Sequence, residues 1–171
     1  MKRDMGRGRI RSLTMCAMAA ALSFVLLLVG STTGIFDMSA VALCGLITVI
    51  AVVEAGVGLA AGAVAVCATL TLVLLPDKSV GILYIMAGGL YPLVKPVAER
   101  IRSRALMWAV KIAAAEVIIA IYTVFLKLFM PQEADGFLIP LAFLLGTVCF
   151  ILYDILLARF AVIYRIRFRR R

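Results

Sequence analysis

From Met38 to Leu75 the sequence runs with Glu54 as its single charged residue, a stretch far too long for one membrane helix and about right for two. A membrane helix takes about 20 mostly apolar residues, so the run divides into spans 38–54 and 57–75. The glycines of Glu54-Ala55-Gly56-Val57-Gly58 supply the break. The same rule places further spans at 12–30, 80–96, 105–129 and 137–163. They are set apart by Ser31 to Ser39, by Pro76-Asp77-Lys78-Ser79, by the charged stretch Glu99 to Arg104, and by Met130 to Gly136. The expected fold class is an all-α integral membrane protein, a single bundle of six transmembrane helices with both termini cytoplasmic. Composition agrees: 65% of the 171 residues are apolar and 16% charged, against about 45–50% and about 25% in soluble domains. Six spans use roughly 120 residues and leave no space for an ATPase, a DNA-binding head or a receptor module. An energy-coupled activity would then borrow its motor from another chain.

The net charge of +9 is a topology signal rather than a nucleic-acid footprint, because the basic residues collect at the tails and in one loop. Lys2, Arg3, Arg7, Arg9 and Arg11 precede the first span, Lys95, Arg100, Arg102 and Arg104 follow the fourth, and Arg165, Arg167, Arg169, Arg170 and Arg171 end the chain. The intervening loops carry Asp37, then Asp77 with Lys78, then Glu133 and Asp135. That alternation puts both tails in the cytoplasm. The basic start resembles a signal peptide, but its apolar run of about 18 residues exceeds the usual h-region, so it reads as an uncleaved first span.

The chain has no histidine, which excludes imidazole-based catalysis and His-ligated zinc or haem. Cys16, Cys44, Cys67 and Cys149 stand singly in separate apolar stretches, without C-x-x-C spacing, and read as small packing residues. No Ser-Lys or paired-Asp motif occurs at helical spacing. The expectation is therefore no enzyme, no catalytic residue, no metal and no cofactor.

In lipid, helices associate through close packing of small residues. Ala17-x-x-x-Ala21 and Gly58-x-x-x-Gly62 mark such faces, for packing within the bundle or for a partner. In span five, Ala109, Ala113, Glu116, Ala120, Thr123 and Lys127 recur at spacings of four and three and form one stripe. A carboxylate in lipid is costly, so this stripe is expected to face the bundle interior or a water-filled cavity. Glu116 is then either a ligand or ion group or a carboxyl hydrogen-bonded to another helix. Lys111 lies about 140° around the helix and can snorkel to the interface. Asp154 can pair with Lys111 or Arg159, while Glu54 and Lys95 read as turn and anchor residues. On the outer side, Phe36, Asp37, Tyr84, Tyr122 and Gln132 could surround a small polar molecule. Interfacial tyrosines are the alternative for that group.

The basic N-tail, the alanine-rich first span with Ala17-x-x-x-Ala21, the loop Gly34-Ile35-Phe36-Asp37-Met38-Ser39 and the small-residue hairpin from Glu54 to Ala65 resemble the substrate-binding S components of energy-coupling-factor transporters. That family binds vitamins, their precursors or metal ions. The resemblance implies a multi-pass protein of a prokaryotic plasma membrane with a small-molecule ligand bound toward the outer side, and the residues read above offer Phe36, Asp37, Tyr84, Glu116 and Tyr122 as candidates to bind it. It also implies that Ala17 and Ala21 meet a transmembrane coupling protein linked to two ATPases. The expected partners are thus that ligand, the coupling protein and the lipid bilayer, with no nucleic acid. A second resemblance is to the rod-shape-determining MreD family, small multi-spanning scaffolds without catalytic groups. The segment Tyr84 to Tyr91 before a basic loop suits it too. A transporter needs a ligand-sized cavity with converging polar groups, whereas a scaffold needs exposed partner grooves.

Overall fold

A computed structural model describes residues 2–34, 36–98, 104–129 and 138–168, and among them every regular element is helical. α1 (Lys2–Thr33), α2 (Asp37–Ala55) and α3 (Val57–Leu74) lead into a composite rod. The rod joins α4 (Lys78–Leu83), a π-helical segment (Tyr84–Leu90) and α5 (Tyr91–Ala98); α6 (Arg104–Phe129) and α7 (Leu138–Phe168) follow. Five stretches are long and apolar enough to cross a membrane: Ile10–Thr33, Asp37–Ala55, Val57–Leu74, Met107–Val124 and Phe143–Tyr164. Their length and apolarity mark a multi-pass helical membrane protein. The expected span 80–96 falls on the composite rod, whose α-helical pieces are 6 and 8 residues long on either side of the π segment.

Local chemistry sets these boundaries. Gly56 alone separates α2 from α3 and takes φ 83°, a left-handed conformation that a Cβ would strain. Its N–H still reaches the Val52 carbonyl at 3.1 Å. The Asp77 side chain accepts from the Ser79 N–H at 2.9 Å and caps α4. In the π segment the Tyr91 N–H bonds back to the Met86 carbonyl, five residues earlier. The next position in that register would serve Ala87, but Pro92 has no N–H to give. The Tyr153 hydroxyl of α7 donates to the Ala87 carbonyl instead, at 3.0 Å.

α2 is the hub, touching α1, α3, all three parts of the rod and α7. On one side Ala20 and Leu27 of α1, Val41 and Cys44 of α2 and Cys67 of α3 form a core with Leu75, Val80 and Tyr84. Below it Cys16, Ala51, Ala60, Val64 and Leu93 continue the packing. On the other side Val49 meets Tyr91, Ala115, Phe150 and Leu157. Gly45 permits this second contact, because a Cβ there would fall within the Tyr153 phenol. Cys16, Cys44 and Cys67 are buried free thiols, as their reading as packing residues requires, and Cys149 is exposed.

Candidate functional site

Tyr91 and Lys95 stand four residues apart on one face of α5, Lys111 comes from α6 and Asp154 from α7. All converge on the Asp154 carboxylate. The Tyr91 hydroxyl donates to Oδ1 at 2.5 Å, and the Lys95 ammonium pairs with the same oxygen while also donating to the Asp154 carbonyl at 2.6 Å. Lys111 Nζ donates to Oδ2 at 2.7 Å. The residues are 6% exposed at Lys95, 6% at Lys111 and 3% at Asp154, so these are buried charges. Such groups persist inside a membrane protein only when paired and hydrogen-bonded. Phe150 meets the Tyr91 ring edge-on with centroids 4.6 Å apart and covers the centre. The Lys111 ammonium also lies 5.6 Å from the centroid of the Trp108 ring, a cation–π contact.

Two expectations are corrected here. Lys111 does not snorkel: it turns inward because Asp154 offers a charged acceptor that outweighs the reach to water. Lys95 is no interfacial anchor for the same reason. The pairing of Asp154 with Lys111 is present, while Arg159, the other partner considered, is exposed.

Beside the centre lies a cavity of about 200 Å³ between the rod and α6. Tyr91, Lys95 and Lys111 border one end, Met86, Leu90, Val94, Val110, Ala114, Val117 and Ile118 line the rest, and the wall is almost wholly apolar. Among the described residues no group of three or more Cys, Asp or Glu side chains is disposed to hold a metal ion.

The residues expected to bind a ligand do not gather in one place. Phe36 is exposed. Asp37 opens α2 and buries its Oδ1 without a hydrogen-bond partner among the described residues. Tyr122 of α6 lies against Ser79, within electrostatic reach of Asp77 and Asp37. Asp37 and Tyr122 therefore share one end of the bundle. Tyr84 sits apart from them, 1% exposed in the core beside Cys44, Thr48 and Cys67. Glu116 is half-buried and accepts a 2.8 Å hydrogen bond from Thr147 of α7, the helix-to-helix role considered for it. Its stripe does not face inward as a whole: Ala109 and Ala113 are exposed, and among the described side chains of α6 Lys111 and Ala115 are the buried ones. The polar anchor at Lys111 rotates the helix away from the small-residue face. Gln132 and the Lys127 side chain lie outside the described residues.

The small-residue stripes also point outward. Ala17 and Ala21 are exposed on α1, and a Cβ at Gly58 or Gly62 of α3 would meet nothing within 4 Å. Packing within the bundle, one of the two roles considered for these stripes, is not their use.

Compared with protein-family models, with curated proteins and with solved structures, the chain finds no match in any of the three. Function is argued from the site itself.

What sequence reasoning missed is the joining of Lys95 to Asp154. The signal was present in Tyr91-x-x-x-Lys95, a phenol and an ammonium one helical turn apart at the end of an apolar run. A lysine near a predicted boundary reads as an anchor unless the neighbouring helix is known.

Proposed function

We propose that the protein is the membrane-embedded substrate-binding component of an energy-coupling-factor-type uptake transporter, without enzymatic activity of its own. In this reading the composite rod is the fourth of six spans, and both termini lie in the cytoplasm of a prokaryotic plasma membrane. The observation that carries the reading is the cavity that adjoins the buried Lys95, Lys111 and Asp154 centre. Intramembrane ionisable groups beside a cavity are the usual mark of a ligand or ion pathway.

Two polar stations then lie along α6. Tyr122, with Asp37 and Asp77, stands toward the outer end, and Lys111 stands toward the inner end, 11 residues or ~16 Å away. Ala17 and Ala21 present a low surface on the outside of α1, where a coupling protein linked to ATPases could approach closely.

Native mass spectrometry of the protein purified in mild detergent tests both halves of the proposal. A retained small molecule and co-purifying coupling subunits are expected. Ala17→Trp should abolish that co-purification and transport while leaving ligand retention nearly intact, since the face is remote from the cavity. A non-catalytic membrane scaffold of the MreD kind is the second reading, favoured by the uncovered Gly58 and Gly62 on α3. It prevails if the protein retains no small molecule and co-purifies with cell-wall synthesis proteins.

A further inference from the structure

We infer that the cavity between the rod and α6 takes a small uncharged apolar molecule, a compact hydrocarbon body that enters from the lipid layer. The inference rests on the proposal that this cavity is a ligand site, and it names the class of ligand.

Two polar contacts set where the space lies. At one end of α6 Tyr122 meets Ser79 of α4, and at the other Lys111 shares the Asp154 carboxylate with Lys95 of α5. Between Lys111 and Tyr122 run ~16 Å of helix, along which Ala114, Val117 and Ile118 face the cavity from α6, and Met86, Leu90 and Val94 face it from the rod. Ala114 is the smallest of these, and the helices, held at their separation by the polar contacts, leave about 200 Å³ unfilled there. That exceeds the roughly 150 Å³ of an apolar cavity that takes up benzene. It is room for one compact molecule, whereas a phospholipid chain would place only its end inside.

The wall decides what can occupy it. Tyr91, Lys95 and Lys111 border one end, but their polar atoms are turned to Asp154, at 2.5 Å for the phenol, 2.6 Å from Lys95 to the carbonyl and 2.7 Å for Lys111. What the cavity presents is almost wholly apolar. A buried water needs two to four polar partners, and this wall does not supply them. A charged or strongly polar group would give up its solvation and gain no partner in return. A hydrocarbon gives up no hydrogen bond, and it restores the dispersion contacts that the lining atoms lack across a void. The lining is mainly aliphatic, with Met86 able to adapt its shape to different bodies. Leu90, Val94, Val110 and Val117 are between 40% and 56% exposed, and Val110 and Val117 belong to a stretch long and apolar enough to cross a membrane. The mouth therefore opens toward lipid, the layer in which an apolar solute collects.

Photolabelling with adamantyl diazirine, a compact saturated cage, tests this on the full chain in phosphatidylcholine nanodiscs, with the labelled residues located by mass spectrometry. Labelling at Met86, Ala114 and Ile118 should saturate with probe concentration and be displaced by adamantane. Labelling at Val124 and Val148, which are exposed, should rise in proportion to the probe. Adamantane sulfonate and adamantyltrimethylammonium carry permanent charges of opposite sign, and neither should displace the label. Ala114→Phe fills the cavity and should bring labelling at Met86 and Ile118 down to the level of Val124, with helix content unchanged. Ala113→Phe places the same ring on an exposed neighbouring position and should leave the saturable labelling as it is.

Labelling that never saturates, displacement by either charged cage as strong as by adamantane, or saturable labelling undiminished in Ala114→Phe overturns the inference. The displacement series on the parent protein decides the class even where Ala114→Phe does not fold. A phosphatidylcholine bearing the diazirine near the end of one acyl chain tests the other hydrocarbon in the layer. Labelling of Ala114 and Ile118 by that lipid above the level at Val124 makes the cavity a seat for lipid chains and overturns the free molecule as its occupant. Failure of the transport proposal looks different. Saturable labelling without coupling subunits or uptake leaves the ligand class standing, whereas coupling subunits without saturable labelling removes the class alone.

Discussion

On one side of α2, the helices α1 and α3 pack through alanine, cysteine, valine and leucine, and the Cys44 thiol of α2 donates to the Ser23 carbonyl of α1 at 3.4 Å. On the other side, α6 and α7 are joined through Lys111 to Asp154 and Thr147 to Glu116, and α7 is tied to the π segment through Tyr153 to Ala87 and to α2 through Tyr164 to Glu54. Burial follows the same division: 39% of the α2 span is buried and 22% of each of α1 and α3, against 11% of α6 and 17% of α7. Lipid gives helices no hydrophobic reason to associate, so they hold together by close packing or by polar contacts. The α1–α3 side uses the first means and the α6–α7 side the second.

The largest effect should come from Asp154→Ala. Removing the carboxylate leaves Lys95 and Lys111 buried without their shared acceptor, and breaking a buried pair in this way costs about 3–5 kcal/mol. Hydrogen-exchange mass spectrometry should show α6 and α7 losing protection while α1 to α3 keep theirs. Equal loss on both sides would break the comparison and make the molecule one cooperative unit.

Gly45→Ala should come next, at about 1–3 kcal/mol, the usual cost of overpacking. The new methyl falls on the Tyr153 hydroxyl, which should push α7 off α2 and take that hydroxyl from the Ala87 carbonyl. Thermal denaturation in detergent measures the loss. Tyr153→Phe keeps the packing and removes the hydroxyl alone, so its smaller loss separates the two contributions. Thr147→Val removes the hydrogen bond to Glu116 and should cost ~0.6–1.7 kcal/mol, the range of such bonds between membrane helices.

Much of this division was legible in the sequence, and the part that was not has a physical reason. Apolar runs with polar and glycine breaks were enough to place α2 and α3 on either side of Gly56, since both membrane thickness and glycine's left-handed turn act locally. The pairing of Lys111 with Asp154 was within reach because both interrupt apolar runs at similar depth. The π segment was not, because its register depends on Pro92 lacking an N–H and on Tyr153 of a distant helix supplying the donor in its place. The scattering of Phe36, Tyr84 and Glu116 was equally hidden. A helical stripe fixes which residues share a face, and only the neighbouring helices fix which face turns inward. Lys111, drawn to Asp154, settles that for α6, against the stripe that Glu116 suggested.

The smallest effect sharpens the comparison by reversing the sign of one already described. Gly62→Ala makes the same chemical change as Gly45→Ala, within the α3 helix instead of α2. At Gly62 a Cβ meets nothing within 4 Å, so there is no clash to offset the gain from restricting a glycine in a helix, roughly 0.5–1 kcal/mol. The variant should melt slightly higher than the parent in detergent. In the cell the outcome depends on what covers that face. If the α3 glycines face only lipid, Gly62→Ala leaves growth, uptake and co-purifying proteins as they are. If a partner helix seats closely there, the added methyl lowers its recovery while the isolated protein is still stabilised, and the face of α3 becomes a docking surface in addition to the one proposed on α1.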